Sequence, residues 1–132
     1  MAFAEFVLYG RPITKKNSPR LVRAGRRAKI LPSAAYEAYE RDCLYQLKKQ
    51  ASQMDRVPLR APLNLQCLYY MPTRHKVDLV NLLEATCDIL VAAGLIEDDN
   101  CNVLAGYDGS RVRYDKENPR VRIVLEEMEG KR

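Results

Sequence analysis

The apolar positions of this chain fall into blocks spaced either by two residues or by three to four, and these blocks predict its elements. Residues 2–9 mix Phe3, Phe6, Val7, Leu8 and Tyr9 with two alanines and stop at Gly10 and Pro12, which predicts a first strand with its aromatics in the core. No period is visible from Arg11 to Pro32, where Pro12, Pro19, Pro32 and a run of cations predict a long basic loop. Ser33 then offers an N-cap, and Tyr36, Tyr39, Cys43, Leu47, Gln50 or Ala51, and Met54 recur at helical steps, predicting an amphipathic helix of about twenty residues.

Pro58 to Pro62 interrupts the chain, and Leu63 to Met71 alternates as a half-buried strand should, ending at Pro72. A second helix is predicted from Leu79 to Ala93, with Leu79, Leu82, Leu83, Thr86, Leu90 and Ala93 on its apolar face and Gly94 just past its end. An acidic turn follows at residues 97–100, then strand-like runs at Val103 to Tyr107 and Arg111 to Tyr114. A final strand carries Val121, Ile123 and Leu125, and the polar tail from Glu126 is expected to fray. The order β-α-β-α-β-β predicts an α+β (mixed α/β) fold, two main helices packed on a mixed sheet, as one compact domain over residues 1–132.

Length and composition agree with that single core, since 132 residues at 47% hydrophobic content hold enough apolar mass for one and too little for two. No apolar run approaches a membrane span and the first residues lack the pattern of a secretory signal, so a cytoplasmic protein is expected, without a membrane partner. Cys43, Cys67, Cys87 and Cys101 are widely spaced and His75 is the only histidine, so neither a disulfide framework nor a zinc site is indicated; buried free thiols are expected.

Charge changes the picture more. The net charge of +5 conceals a division: residues 1–32 carry +7 and the remainder −2. Concentrating Lys15, Lys16, Arg20, Arg23, Arg26, Arg27 and Lys29 in one segment incurs self-repulsion, which points to contact with a polyanion such as a phosphate backbone; a merely solvated basic loop is the plainer alternative. The second helix shows the opposite bias. At about 100° per residue, Asp78, Asn81, Glu84 and Asp88 fall within a stripe about 120° wide, opposite the leucines. Glu84 and Asp88 are like charges one turn apart, no Lys or Arg occurs between Val77 and Ser110, and Glu97, Asp98 and Asp99 follow the helix.

Clustered carboxylates without cations are what a hard divalent ion such as Mg²⁺ requires, and with Arg74, His75 and Lys76 beside them they have the layout of a metal-dependent nuclease. The alternative from the same residues is a solvated acidic face with a separate nucleic-acid-binding loop. A small RNA-binding module is a third class, but Tyr36 and Tyr39 fall in the helix's apolar register rather than on an exposed stacking platform.

Several blocks in order resemble the RusA-type Holliday junction resolvases, small bacterial and bacteriophage endonucleases: Gly10-Arg11-Pro12-Ile13-Thr14-Lys15-Lys16-Asn17-Ser18-Pro19-Arg20, Asp78-Leu79-Val80-Asn81, Asp88-Ile89-Leu90 and Gly94-Leu95-Ile96-Glu97-Asp98-Asp99. The resemblance implies a homodimer that uses Mg²⁺, with Mn²⁺ able to substitute, to cut four-way branched DNA symmetrically in recombination and repair, with no small-molecule cofactor. Asp78 and Asp99 match the family's first and last catalytic aspartates, and Asn81 the asparagine of its Asp-x-Asp-Asn-x-x-Lys motif.

Two positions depart from that motif: Val80 stands where the second Asp belongs and Glu84 where the Lys belongs. The expected site is therefore a compensated one, with Asp78, Glu84 and Asp99 catalytic and metal-binding, and Asp88 and Asp98 as further ligands or orienting groups. Lys15, Lys16, Arg20, Arg23, Arg26, Arg27, Arg74, Lys76 and Asn81 are expected to contact DNA. The alternative is a catalytically degenerate protein that binds junctions or other branched DNA without cutting.

Overall fold

The structure, a computed structural model, describes residues 3–15, 20–52, 54, 58, 59 and 62–128. Its elements are β1 (Phe3–Tyr9), β2 (Arg20–Ala24), β3 (Arg27–Leu31), α1 (Ala34–Ala51), β4 (Leu63–Met71), α2 (Leu79–Ala92), β5 (Leu104–Gly106), β6 (Arg111–Tyr114) and β7 (Arg120–Glu127). The main sheet runs β1-β7-β4 with antiparallel pairing, and β5 and β6 pair in parallel with the start and end of β4 on its outer edge. Two helices on a mixed sheet make an α+β fold, as the sequence predicts.

Period-two burial builds the sheet's inner face. Leu63, Leu65, Cys67, Tyr69 and Met71 of β4 point inward, beside Val121, Ile123 and Leu125 of β7 and Ala4, Phe6 and Leu8 of β1. Each such large aliphatic side chain contributes about 1.5–3 kcal/mol by leaving water. Tyr9 is the exception to the expected aromatic core: the alternation that buries Phe6 and Leu8 sends it outward, where it is 54% exposed. The side chain of Phe3 lies outside the described residues. The final strand also runs on through Glu126 and Glu127, both expected in a fraying tail, because they pair with Asn64 and Leu63 of β4.

Both helices start where their capping residues stand. Ser33 Oγ accepts from Tyr36 N–H at 3.0 Å and opens α1, which buries Tyr36, Tyr39, Cys43 and Leu47. Two of its polar residues close the edge of the sheet. Gln50 pairs with Val7 through both amide atoms (3.0 and 2.7 Å), and Gln46 with Tyr9 in the same way (2.8 and 2.9 Å). These side-chain amides take the place of a further strand and leave β1 less open to pairing with another chain. Helix α2 buries Leu82, Ala85, Thr86, Cys87, Ile89 and Leu90, and Thr86 Oγ1 lies 2.6 Å from the Tyr69 hydroxyl, joining helix to sheet.

The segment expected as an irregular basic loop holds a hairpin. β2 and β3 pair antiparallel around Gly25 and Arg26, and Gly25 has φ +66°, a value that two-residue hairpin turns use and that glycine adopts at no steric cost. This ribbon is a separate two-stranded sheet. Cys43, Cys67 and Cys87 are buried free thiols, as expected, while Cys101 is exposed. No helix among the described residues is long and apolar enough to cross a membrane.

Candidate functional site

Gly10 turns the chain out of β1 with φ +117° and its N–H donates to Pro119 O, so residues 11–14 cross towards the start of α2. There they form one wall of a cleft of about 490 Å³, with Thr73, His75, Lys76, Asp78 and Asn81 opposite. Arg11, His75 and Lys76 bring two basic side chains and an imidazole to a pocket whose one carboxylate among the described residues is Asp78. Asp78 is the N-cap of α2: its carboxylate accepts from Val80 N–H at 3.3 Å and answers the positive end of the helix. Of the expected DNA contacts, Lys76 and Asn81 line this cleft, whereas Arg74 turns away and stacks on Tyr114, 4.2 Å from its ring centre. Arg11, from the Gly10–Arg20 block, and His75, expected beside the acids, also line the cleft, although neither is among the expected DNA contacts.

The remaining acids gather further along the helix. Leu95 and Ile96, almost wholly buried, fold the chain back after α2, and Asn100 O accepts from Val103 and Leu104 N–H, which fixes the turn that carries Asp98 and Asp99. Asp98 accepts from Asp99 N–H (2.8 Å) and Asn100 Nδ2 (3.1 Å), and these bonds hold its carboxyl below the usual range. Asp99 is shifted the other way: partial burial raises its carboxyl first, and the neighbouring Asp98 and Asp88 raise it further. The Cys87 thiol, pushed up to about 11 chiefly by burial, also feels Asp99, Asp88 and Glu84. Its sulfur lies 3.6 Å from the Tyr107 hydroxyl, itself raised by burial. Glu84, Asp88 and Asp99 thus all contribute to the negative field at Cys87.

The basic segment reaches the same place. Lys15 Nζ is 2.8 Å from Asp88 Oδ2 and 5.9 Å from the centre of the Tyr36 ring. One expected DNA cation is therefore an internal partner of an expected metal ligand. Arg23, Arg26 and Arg27 are exposed on the ribbon; Lys16 and the side chain of Arg20 lie outside the described residues.

Sharing an angular stripe does not put the acids of α2 together. At about 1.5 Å of rise per residue, Asp78 and Asp88 are about 15 Å apart along the axis, and Glu84 stands about 9 Å from one and about 6 Å from the other. Among the described residues no three His, Cys, Asp or Glu side chains form a group that could hold an ion by themselves. The chemistry of the donors still fits a hard cation that takes one or two carboxylates and completes its shell with water and phosphate oxygens. The repulsion from Asp98 and Asp88 that adds to burial in raising Asp99, and the ammonium already resting on Asp88, both mark a spot where positive charge is favoured. Val80, where a carboxylate would match the motif, is 68% exposed on the first turn.

Compared with models of protein families, residues 10–126 match endodeoxyribonuclease RusA. Comparison with curated proteins finds no match.

Proposed function

Since the chain belongs to the RusA endodeoxyribonuclease family, a family of junction-resolving nucleases, we propose that it is a Mg²⁺-dependent homodimer that resolves four-way DNA junctions in recombination and repair. What supports the reading, beyond family membership, is the convergence of opposite charges: Lys15 ties the basic segment to Asp88, beside Asp99 and Glu84.

In this reading Arg11, His75 and Lys76 receive the phosphate backbone in the cleft, and Lys15 with the arginines of the ribbon extends the grip without reading sequence. Asp78, Glu84 and Asp99 are the catalytic acids, with Asp88 and Asp98 as supporting oxygen donors. A bound Mg²⁺, or Mn²⁺ in its place, supplies charge stabilisation at phosphorus and a water acidic enough to attack near neutral pH. Asp98, pinned by Asp99 N–H and Asn100, fixes the turn on which Asp99 is presented. In this reading Glu84 compensates for Val80: it stands on the helix between Asp78 and Asp88, about one turn before Asp88.

A second reading, a junction-binding protein that does not cut, is favoured by the two departures from the motif, Val80 in place of its second Asp and Glu84 in place of its Lys. Asp99→Asn separates the two. In the nuclease it abolishes Mg²⁺-dependent cleavage of a synthetic four-way junction and spares binding; near-normal cleavage by the variant removes Asp99 from the mechanism.

A further inference from the structure

The β2–β3 ribbon carries a feature that phosphate binding does not use. In its register Leu21 stands directly opposite Ile30, and at 72% and 76% exposure they are the two most exposed large apolar side chains among the described residues. Two apolar groups side by side on an isolated ribbon gain nothing from water, and such a patch marks a surface that meets something else.

The surroundings select the partner. Residues 20–31 contain Arg20, Arg23, Arg26, Arg27 and Lys29 and no acid, so the ribbon faces a polyanion. A second copy of the ribbon is a poor occupant, because a two-fold contact sets the same patch against itself and brings like charges together. A continuous duplex offers phosphates but keeps its base faces stacked. A branch point offers both, since the base pairs that border it expose an apolar face beside converging phosphates. The ribbon can reach there: five residue steps separate Arg20 from Lys15, whose ammonium is held on Asp88, so the Cα of its first residue is within about 18 Å of the Cα of Lys15.

We propose that the ribbon is a branch-point wedge, in which Leu21 and Ile30 press against the open face of a base pair while the arginines hold the flanking phosphates. Apolar side chains inserted at base steps in this way unstack DNA in other architectures. The inference rests on the junction-binding reading above and adds to it the element that distinguishes a junction from a duplex.

The test uses the full chain and a four-way junction with 2-aminopurine next to the branch point, in EDTA, beside a duplex of the same sequence. Wild-type protein is expected to prefer the junction and to raise the 2-aminopurine fluorescence by unstacking it. Leu21→Ser/Ile30→Ser, whose sites are exposed and whose cations are intact, is expected to keep its duplex affinity and salt dependence. It loses the fluorescence rise and about tenfold of the junction preference. Leu21→Phe, which enlarges the stacking surface, is expected to retain both. A double variant with wild-type fluorescence and preference overturns the wedge, and so does one whose sedimentation shows a changed oligomeric state, which assigns the pair to a contact between chains. Wild-type protein without junction preference overturns the proposed function as well, and that outcome is read on wild type alone.

Discussion

Replacing Lys15 by Met removes the ammonium from Asp88 while keeping a side chain of similar length over Tyr36. Lys15 and Asp88 are 39% and 34% exposed, so solvent screens the pair and its contribution is that of a surface ion pair, about 0.2–1 kcal/mol. The variant is therefore expected to fold, with a melting temperature lower by at most a few degrees. Its metal binding moves the other way. A divalent ion that uses Asp88 competes with the ammonium, and relief from that competition tightens binding by the same free energy, about 1.4- to 5-fold. Titration calorimetry of Mg²⁺ or Mn²⁺ into DNA-free protein reads this without reference to activity. Asp88→Asn in the same assay is expected to weaken binding. Unchanged or weaker metal affinity in Lys15→Met refutes the claim that ammonium and metal share this acid.

Three further outcomes test the frame around the site. Under native conditions iodoacetamide should modify Cys101 alone, because Cys43 and Cys67 are buried with thiols pushed up to about 12 and Cys87 to about 11; mass spectrometry showing early labelling of Cys67 contradicts the packing of β4. Thr86 Oγ1 donates to Leu82 O and so accepts from the Tyr69 hydroxyl. Thr86→Val strands that buried hydroxyl and should cost about 1–3 kcal/mol in denaturant unfolding, more than the roughly 0.5–1.5 kcal/mol of Tyr69→Phe, and the reverse order counts against the bond's direction. Arg122 lowers the Glu5 carboxyl below 4.5, so the stability this pair adds is present above the unfolded pKa and disappears as pH falls through the lower folded one. Glu5→Gln should melt below wild type at neutral pH and converge with it in acid, whereas a gap independent of pH contradicts the linkage.

The parts of the fold that sequence made legible are those whose burial is periodic. β4 alternates along its whole length, and α2 has a capping Asp78 at one end and Gly94 just past the other, so both were placed to within a residue. The ribbon is not legible because the apolar pair on its described face, Leu21 and Ile30, is exposed among arginines, so no alternation of buried and exposed positions marks that face as a strand. Tyr9 departs from the expected aromatic core because its place in the alternation with Phe6 and Leu8, not its residue type, decides which way it faces. At the site, angular placement put the acids of α2 on one stripe, but a helical wheel has no axial coordinate and merged Asp78 with Asp88. The bond from Lys15 to Asp88 and the amides of Gln46 and Gln50 on β1 join residues distant in sequence, and no local pattern announces them.

The central claim is that Glu84 makes a working site where Val80 has removed an acid. Its most direct test is Mg²⁺-dependent cleavage of a synthetic four-way junction by wild type and by Glu84→Gln, with junction affinity measured in parallel. The account predicts symmetric nicks by wild type and a loss of about a hundredfold or more in the variant's cleavage rate, about 2.7 kcal/mol of transition-state stabilisation, with junction affinity retained. Wild-type protein that binds the junction and leaves it intact, or a variant that cuts as fast as wild type, contradicts it.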